Sequence, residues 1–221
     1  MSVKENLIAL RDKIPAHCTL VAVSKTKPNE LLLEAYACGQ RDFGENYVQE
    51  LCAKYERLPK DIRWHFIGHL QSNKVKYIIP FVYLIHGVDS KKLLIEINKQ
   101  SIKQKKNTRV LLQYYIAKEE SKFGLDDSEL NDIISTYIRG ELSGINIIGL
   151  MGMASNTNDQ NVIISEFNLI HNKFQETQKI VGTGFNTLSI GMSGDYELAL
   201  KSGGNMVRIG SSIFGSRVYN L

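Results

Sequence analysis

Eight times along this chain a short β-rich run is followed by a helical run, and few folds accept that pattern. The strand-like runs read at residues 20–26, 42–46, 64–69, 82–88, 109–117, 145–153, 187–192 and 207–211. The helical runs follow at 28–38, 47–57, 73–79, 90–104, 127–138, 161–180 and 195–201, with a short closing element around Ile213 and Phe214. In the fourth helix Leu93, Leu94, Ile97 and Ile102 recur at helical spacing, and in the sixth Ile164, Phe167, Ile170, His171 and Phe174 do the same. Asp126 or Asp127 is placed to cap the fifth helix. One further helix, near Lys4–Arg11, precedes the first strand.

Repeated βα units imply a parallel sheet with crossover helices, because parallel neighbours cannot be joined by a tight turn. Several strands are near-continuous apolar runs, as expected when both faces are buried. Eight units suggest closure. The expected fold is therefore α/β, a (β/α)8 TIM barrel with an extra N-terminal helix. No linker or composition shift divides residues 1–221, so a single domain is expected. An open doubly wound sheet is the alternative.

Composition narrows the function. Hydrophobic residues make up 43% of the chain, enough for a sizeable core and too many for disorder. A net charge of +4 suits small anionic ligands and does not by itself indicate nucleic acid. The basic run from Lys99 to Arg109 reads as a solvated helix end. The cysteines, Cys18, Cys38 and Cys52, are odd in number and form no CxxC pair, so reduced thiols in a cytoplasmic protein are expected. Nothing near the N-terminus resembles a signal peptide, and no stretch is apolar enough to span a membrane.

In a barrel, functional residues gather at the C-terminal ends of the strands. Lys25 and Lys27 follow the first expected strand, Glu45 and Asn46 the second, and His69, Gln71 and Asn73 the third. Asp89 and Ser90 follow the fourth, Lys118 to Lys122 the fifth, and Ser155 and Asn156 the sixth. An amine at a strand end, partly desolvated and near a second cation, has a depressed pKa and attacks aldehydes. Two lysines snorkelling into water fit the same stretch. After the seventh and eighth strands come two Gly/Ser turns, Gly191-Met192-Ser193-Gly194-Asp195 and Gly210-Ser211-Ser212. Those are the usual places for a barrel's phosphate site, where glycine lets backbone amides approach an anion. Ordinary helix capping by Ser193 or Asp195 is the other reading. Of His65 and His69, one is expected at the pocket and one in the core. Arg208, two residues before Gly210, is expected on the same side of its strand.

A reactive lysine facing a phosphate site is what pyridoxal phosphate requires. Five segments then resemble the pyridoxal-phosphate homeostasis proteins: residues 22–28, 43–50, 64–74, 188–195 and 207–215. The resemblance runs from about Leu20 to Tyr219. It implies a barrel like the N-terminal domain of alanine racemase and a Schiff base to pyridoxal 5'-phosphate on Lys25. It implies phosphate contacts from Ser193, Arg208, Gly210 and Ser211, with Asn46 in the pocket wall; His69 is expected as a further cofactor-binding residue from its place after the third strand. Arg208 meets either the phosphate or the ring nitrogen. One departure is Met151-Gly152-Met153-Ala154-Ser155, where family members often carry a proline-bearing turn.

The resemblance implies a protein that binds the cofactor, buffers it and delivers it, pyridoxal-phosphate-dependent apoenzymes being the expected recipients, with no firmly established catalytic activity; a cytoplasmic monomer is expected. No nucleic-acid or membrane partner is expected. Only about ten residues follow the last expected strand, so a second domain supplying another catalytic base is not expected. The competing readings are a small fold-type-III enzyme, such as an amino-acid racemase, and a Schiff-base aldolase.

Overall fold

The computed structural model describes residues 2–117 and 124–215. Eight strands form one closed parallel barrel: β1 (Thr19–Val23), β2 (Asp42–Glu45), β3 (Arg63–Phe66), β4 (Leu84–Val88), β5 (Thr108–Gln113), β6 (Ile145–Met151), β7 (Thr187–Ser189) and β8 (Met206–Ile209). The ring closes where β1 pairs with β8, with Val21 opposite Arg208 and Ala22 opposite Ile209. That pairing rules out the open sheet. Helix α1 (Val3–Arg11) precedes the barrel. Around it run α2 (Asn29–Ala37), α3 (Val48–Arg57), α4 (Val75–Ile78), α5 (Lys91–Lys103), α6 (Asp127–Ile138), α7 (Gln160–Val181) and α8 (Tyr196–Lys201), and α9 (Ser211–Phe214) follows β8.

Local chemistry explains the helix starts. Ser2 and Asp126 each form a capping box, with Glu5 and Glu129 respectively, so Asp126 rather than Asp127 caps α6. Most strands stop earlier than the apolar runs suggest. β1 ends at Val23 because Thr26 takes φ 61°, and β7 ends at Ser189 because Gly191 takes φ 89°. Neither conformation continues a pleat. The third expected helix keeps its length but starts one residue earlier, as a 3₁₀ turn (Ser72–Lys74) leading into α4.

The main core lies between the barrel and its helices. On α7 it takes Ile163, Phe167, Ile170 and Phe174, so Ile163 occupies the place expected for Ile164. Inside the barrel a smaller layer joins Val21, Leu84, Leu111, Met151 and Met206, drawn from five strands. Beside this apolar layer the interior also holds buried polar side chains, His65, His86, Ser189 and Arg208. Buried polar groups of that kind need hydrogen-bond partners. Cys18 is buried and Cys38 and Cys52 are half-buried, all as free thiols. Among the described residues no helix is long and apolar enough to cross a membrane.

Candidate functional site

At the C-terminal end of the barrel a cavity of about 400 Å³ brings together Lys25, Asn46, Ser193, Arg208, Gly210 and Ser211. Its volume falls in the range of small-molecule sites. Val23, Ile67, Met153 and Met192 supply apolar wall. Six of the seven expected site residues therefore meet, although they come from three distant parts of the chain.

Lys25 sits just beyond β1, in a turn closed by the Lys27 N–H donating to the Ser24 carbonyl at 3.0 Å. Both neighbours of Lys25 are tied down. The Ser24 hydroxyl donates to Glu45 Oε1 at 2.6 Å, and the Thr26 N–H donates to Glu50 Oε1 at 2.7 Å. Lys54 ties these carboxylates together. From α3 its Nζ donates to the Ser24 carbonyl, Glu45 Oε1 and Glu50 Oε1, each at 2.7 Å. The Lys54 side chain is only 6% exposed and that of Glu45 is fully buried. A β-branched residue in the left-handed region is strained, so this network holds Thr26 against its preference. Lys27 turns elsewhere: its Nζ donates to the carbonyls of Phe214 and Gly215, both at 3.0 Å, and so secures the end of α9. Asn6 holds the same helix through the Ile213 carbonyl at 2.9 Å.

Burial raises the Glu45 carboxyl to about 7, against the opposing pull of Lys54 and the Ser24 hydroxyl. A carboxyl raised on folding binds its proton more readily in the folded state. Its stabilising contribution is fully present below about 4.5 and is lost as pH rises through about 7. In urea titrations, wild-type stability is expected to fall relative to Glu45→Gln between pH 5 and pH 7.5, by at most about 1.4 kcal/mol per pH unit. Parallel pH profiles for the two proteins would contradict this assignment.

The two Gly/Ser turns touch. The Gly210 N–H donates to Ser193 Oγ at 3.2 Å, so a backbone amide and a hydroxyl face each other across the cavity edge. A Cβ at Gly191 would lie 2.6 Å from the Ala199 Cβ, which makes glycine necessary where that turn packs on α8. Asp195 stands at the N-cap position of α8 without capping it. Its Oδ1 instead accepts from the Met192 N–H at 2.5 Å, bracing the Ser193 turn.

Arg208 is 4% exposed. Its Nη1 donates to the Ser189 carbonyl at 2.8 Å and to Ser189 Oγ at 2.7 Å, and its Nη2 donates to the Gly152 carbonyl at 3.0 Å. Burial lowers the guanidinium to about 10, still far above neutral, so it remains a cation. These bonds fasten it to the ends of β6 and β7. The 151–155 turn, expected as a departure from the family pattern, thus supplies an acceptor through Gly152 and apolar wall through Met153. Ser155 is drawn away from the cavity, since its N–H and hydroxyl both donate to buried Glu166 at 2.7 Å.

Asn46 shows what the cavity lacks. Its Oδ1 is buried without a hydrogen-bond partner among the described residues. An orphaned acceptor in a cavity wall fits a ligand carrying a hydroxyl or N–H.

His69 is the exception among the expected site residues. It lies outside the Lys25 cavity, in a neighbouring hollow with Tyr47, Gln71 and Lys74, where its Nδ1 is 2.9 Å from Asp89 Oδ2. It follows β3 by three residues and is held on the far side of Asn46 by its contact with Asp89. His65 is the core histidine, fully buried. The expected set Lys118 to Lys122 lies outside the described residues. Lys54 was not legible as part of the site. Its i, i+4 spacing from Glu50 was the available signal, and such pairs usually mark an exposed helix face.

The chain matches the family described as alanine racemase, N-terminal domain, over residues 1–218. It is 38% identical over 201 residues to the pyridoxal phosphate homeostasis protein of Aquifex aeolicus, covering 90% of this chain and 87% of that one. It is similar to the structure of PipY from Synechococcus elongatus with PLP bound, with a TM-score of 0.87, 33% identity, and coverage of 97% of this chain and 100% of that one. Alanine racemase from Bartonella henselae shares the fold, with a TM-score of 0.75 at 17% identity, and this chain covers 58% of it.

Proposed function

Because this chain belongs to the family of pyridoxal phosphate homeostasis proteins, we propose that it binds pyridoxal 5'-phosphate covalently through Lys25. The supporting observation is one cavity lined by Lys25 and by the bridged turns of Ser193 and Gly210, with an orphaned acceptor on Asn46 between strand ends. Lys25 attaches the cofactor. Ser193, Gly210 and Ser211 hold its phosphate. Asn46 accepts from a ring substituent, and Arg208, committed to the ends of β6 and β7, faces the ring rather than the phosphate. His69 takes no part. When bound, the cofactor supplies an aldehyde for an amine to capture and a ring that withdraws electrons.

The phosphate assignment predicts a large affinity difference. Two or three charge-assisted hydrogen bonds, each contributing roughly 1.5–3 kcal/mol, make pyridoxal without its phosphate bind at least about 100-fold more weakly. Equilibrium dialysis with both forms measures this, and equal affinities would reject the phosphate site.

The same reading makes the protein a holder and donor of the cofactor rather than an enzyme. Racemisation needs a second proton-transferring group on the opposite ring face. Among the described residues lining the cavity there is no tyrosine or histidine. Lys27, the second amine there, is engaged by the Phe214 and Gly215 carbonyls. We expect no sustained α-deuterium exchange or inversion when the loaded protein is incubated with L- and D-amino acids in deuterated water. Turnover that disappears in Lys25→Ala would restore the racemase reading. Delivery predicts that the loaded protein reactivates a pyridoxal-phosphate-dependent apoenzyme faster than the free cofactor does at equal concentration.

A further inference from the structure

We propose that Ser189, His86, His65 and Asp42 form a one-directional hydrogen-bond relay through the barrel that orients Arg208 in the site. The chain of contacts is continuous. Ser189 Oγ lies 2.7 Å from Arg208 Nη1 and 3.1 Å from His86 Nδ1. His86 Nε2 is 2.9 Å from His65 Nδ1, and His65 Nε2 is 2.9 Å from Asp42 Oδ1. Arg63 then closes the far end through both Asp42 oxygens. The relay runs from β8 through β7, β4 and β3 to the first residue of β2. It therefore crosses the interior away from the cavity, and both rings are fully buried.

The two ends dictate its direction. A guanidinium only donates, so Ser189 Oγ accepts from Arg208 and its own proton goes to His86 Nδ1. A neutral imidazole that accepts at Nδ1 carries its proton on Nε2, which places that proton on His65 Nδ1. His65 then carries its own proton on Nε2 and donates it to Asp42, a carboxylate that only accepts. Reversing any member leaves two donors or two acceptors face to face in a buried space.

The charge states agree with this. Burial, then the neighbouring His65 and Arg208, hold His86 well below its ordinary value. Burial lowers His65 against the pull of Asp42. Burial also pushes the Asp42 carboxyl up, but the hydrogen bonds from Arg63 and His65 bring it below its ordinary value. Two neutral rings thus lie between a buried cation and a carboxylate. Nothing in cofactor attachment requires a histidine pair this deep in the barrel, whereas a fixed guanidinium does require every acceptor around it to be fixed. These four are positioning residues, since none of them lines the cavity.

The inference rests on the pyridoxal phosphate reading for its purpose, though not for its hydrogen bonding, and three measurements separate the two. In cofactor-free protein, long-range ¹⁵N–¹H correlation is expected to show His65 and His86 as neutral rings protonated at Nε2. A proton on Nδ1, or a charged ring at neutral pH, overturns the relay. Arg208 guanidinium rotation, followed by ¹⁵N exchange, is expected to be slow in the wild type and fast in His86→Leu. His86→Gln, which keeps one donor and one acceptor, should restore the slow rotation. In loaded protein, His86→Leu should weaken pyridoxal phosphate binding about tenfold and move its visible band, and His86→Gln should reverse both. If His86→Leu does not fold, Ser189→Ala serves the same comparison, with Ser189→Thr as its rescue. Slow Arg208 rotation, affinity and band all unchanged in a folded relay variant overturn the proposal. A wild type that takes up no pyridoxal phosphate overturns the functional reading alone, and Arg208 rotation then decides the relay.

Discussion

Lys25→Ala is expected to abolish covalent loading with pyridoxal phosphate while leaving the barrel intact. Lys25 lies in a turn outside the β-ladder, and the Ser24 hydroxyl and the backbone groups of Ser24 and Thr26 make contacts that hold this turn and that the substitution retains. Stability should therefore change by less than about 1 kcal/mol, as for substitutions away from packed features. The visible band of the loaded protein should vanish, and borohydride should no longer fix the cofactor to the peptide containing residue 25. Lys27, engaged by the Phe214 and Gly215 carbonyls, should not replace it. A mutant that keeps the band, with a reduced adduct on another lysine, would move the attachment point.

The second large effect is expected at Lys54→Met. The ammonium offsets the burial of Glu45 and also holds the Ser24 carbonyl beside Lys25. Removing one partner of a buried pair leaves the other charge uncompensated, at a cost of roughly 3–5 kcal/mol. Glu45 Oε2 already lacks a partner among the described residues, so no donor to that oxygen softens the loss. The melting temperature should fall by on the order of 10 °C at pH 8, where Glu45 is ionised, and by less at pH 5, where it is protonated. Lys54→Met combined with Glu45→Gln should recover much of that stability, because removing both charges of a buried pair is often close to neutral. The single mutant should also load pyridoxal phosphate more slowly, since the turn presenting Lys25 loses its anchor. A loss below about 1 kcal/mol at pH 8 would show that the Lys54 hub does not hold this turn.

Much of this protein was readable from local pattern. The βα alternation set the barrel, because a buried strand and an amphipathic helix leave different periodicities within a few residues of each other. The Gly/Ser turns were readable for a similar reason, since glycine at Gly191 and Gly210 marks backbone in close quarters whatever lies around it. Lys25 stood out as an amine ending an apolar run, a pattern that two solvated lysines fit as well, and it gained weight only from the Gly/Ser turns and the family resemblance elsewhere in the chain. Strand ends were read too long, because the residues that stop a strand, such as Thr26 at φ 61°, do so through contacts made elsewhere in the fold.

The sequence by itself determined the eight βα units and singled out Lys25 and the two Gly/Ser turns, all from residue type and spacing, while the pairing of β1 with β8 decided closure. Only the tertiary structure decided which polar residues face one another. The folded chain brings Lys54 from a helix flank under the Lys25 turn, and leaves His69 outside the cavity against Asp89. It also aligns His65 and His86, 21 positions apart, between Arg208 and Asp42. A charged or imidazole side chain has the same local signature whether it ends in water or in a barrel. Its role follows from the partners that burial makes obligatory, and those partners are set by which strand ends the closed ring places side by side.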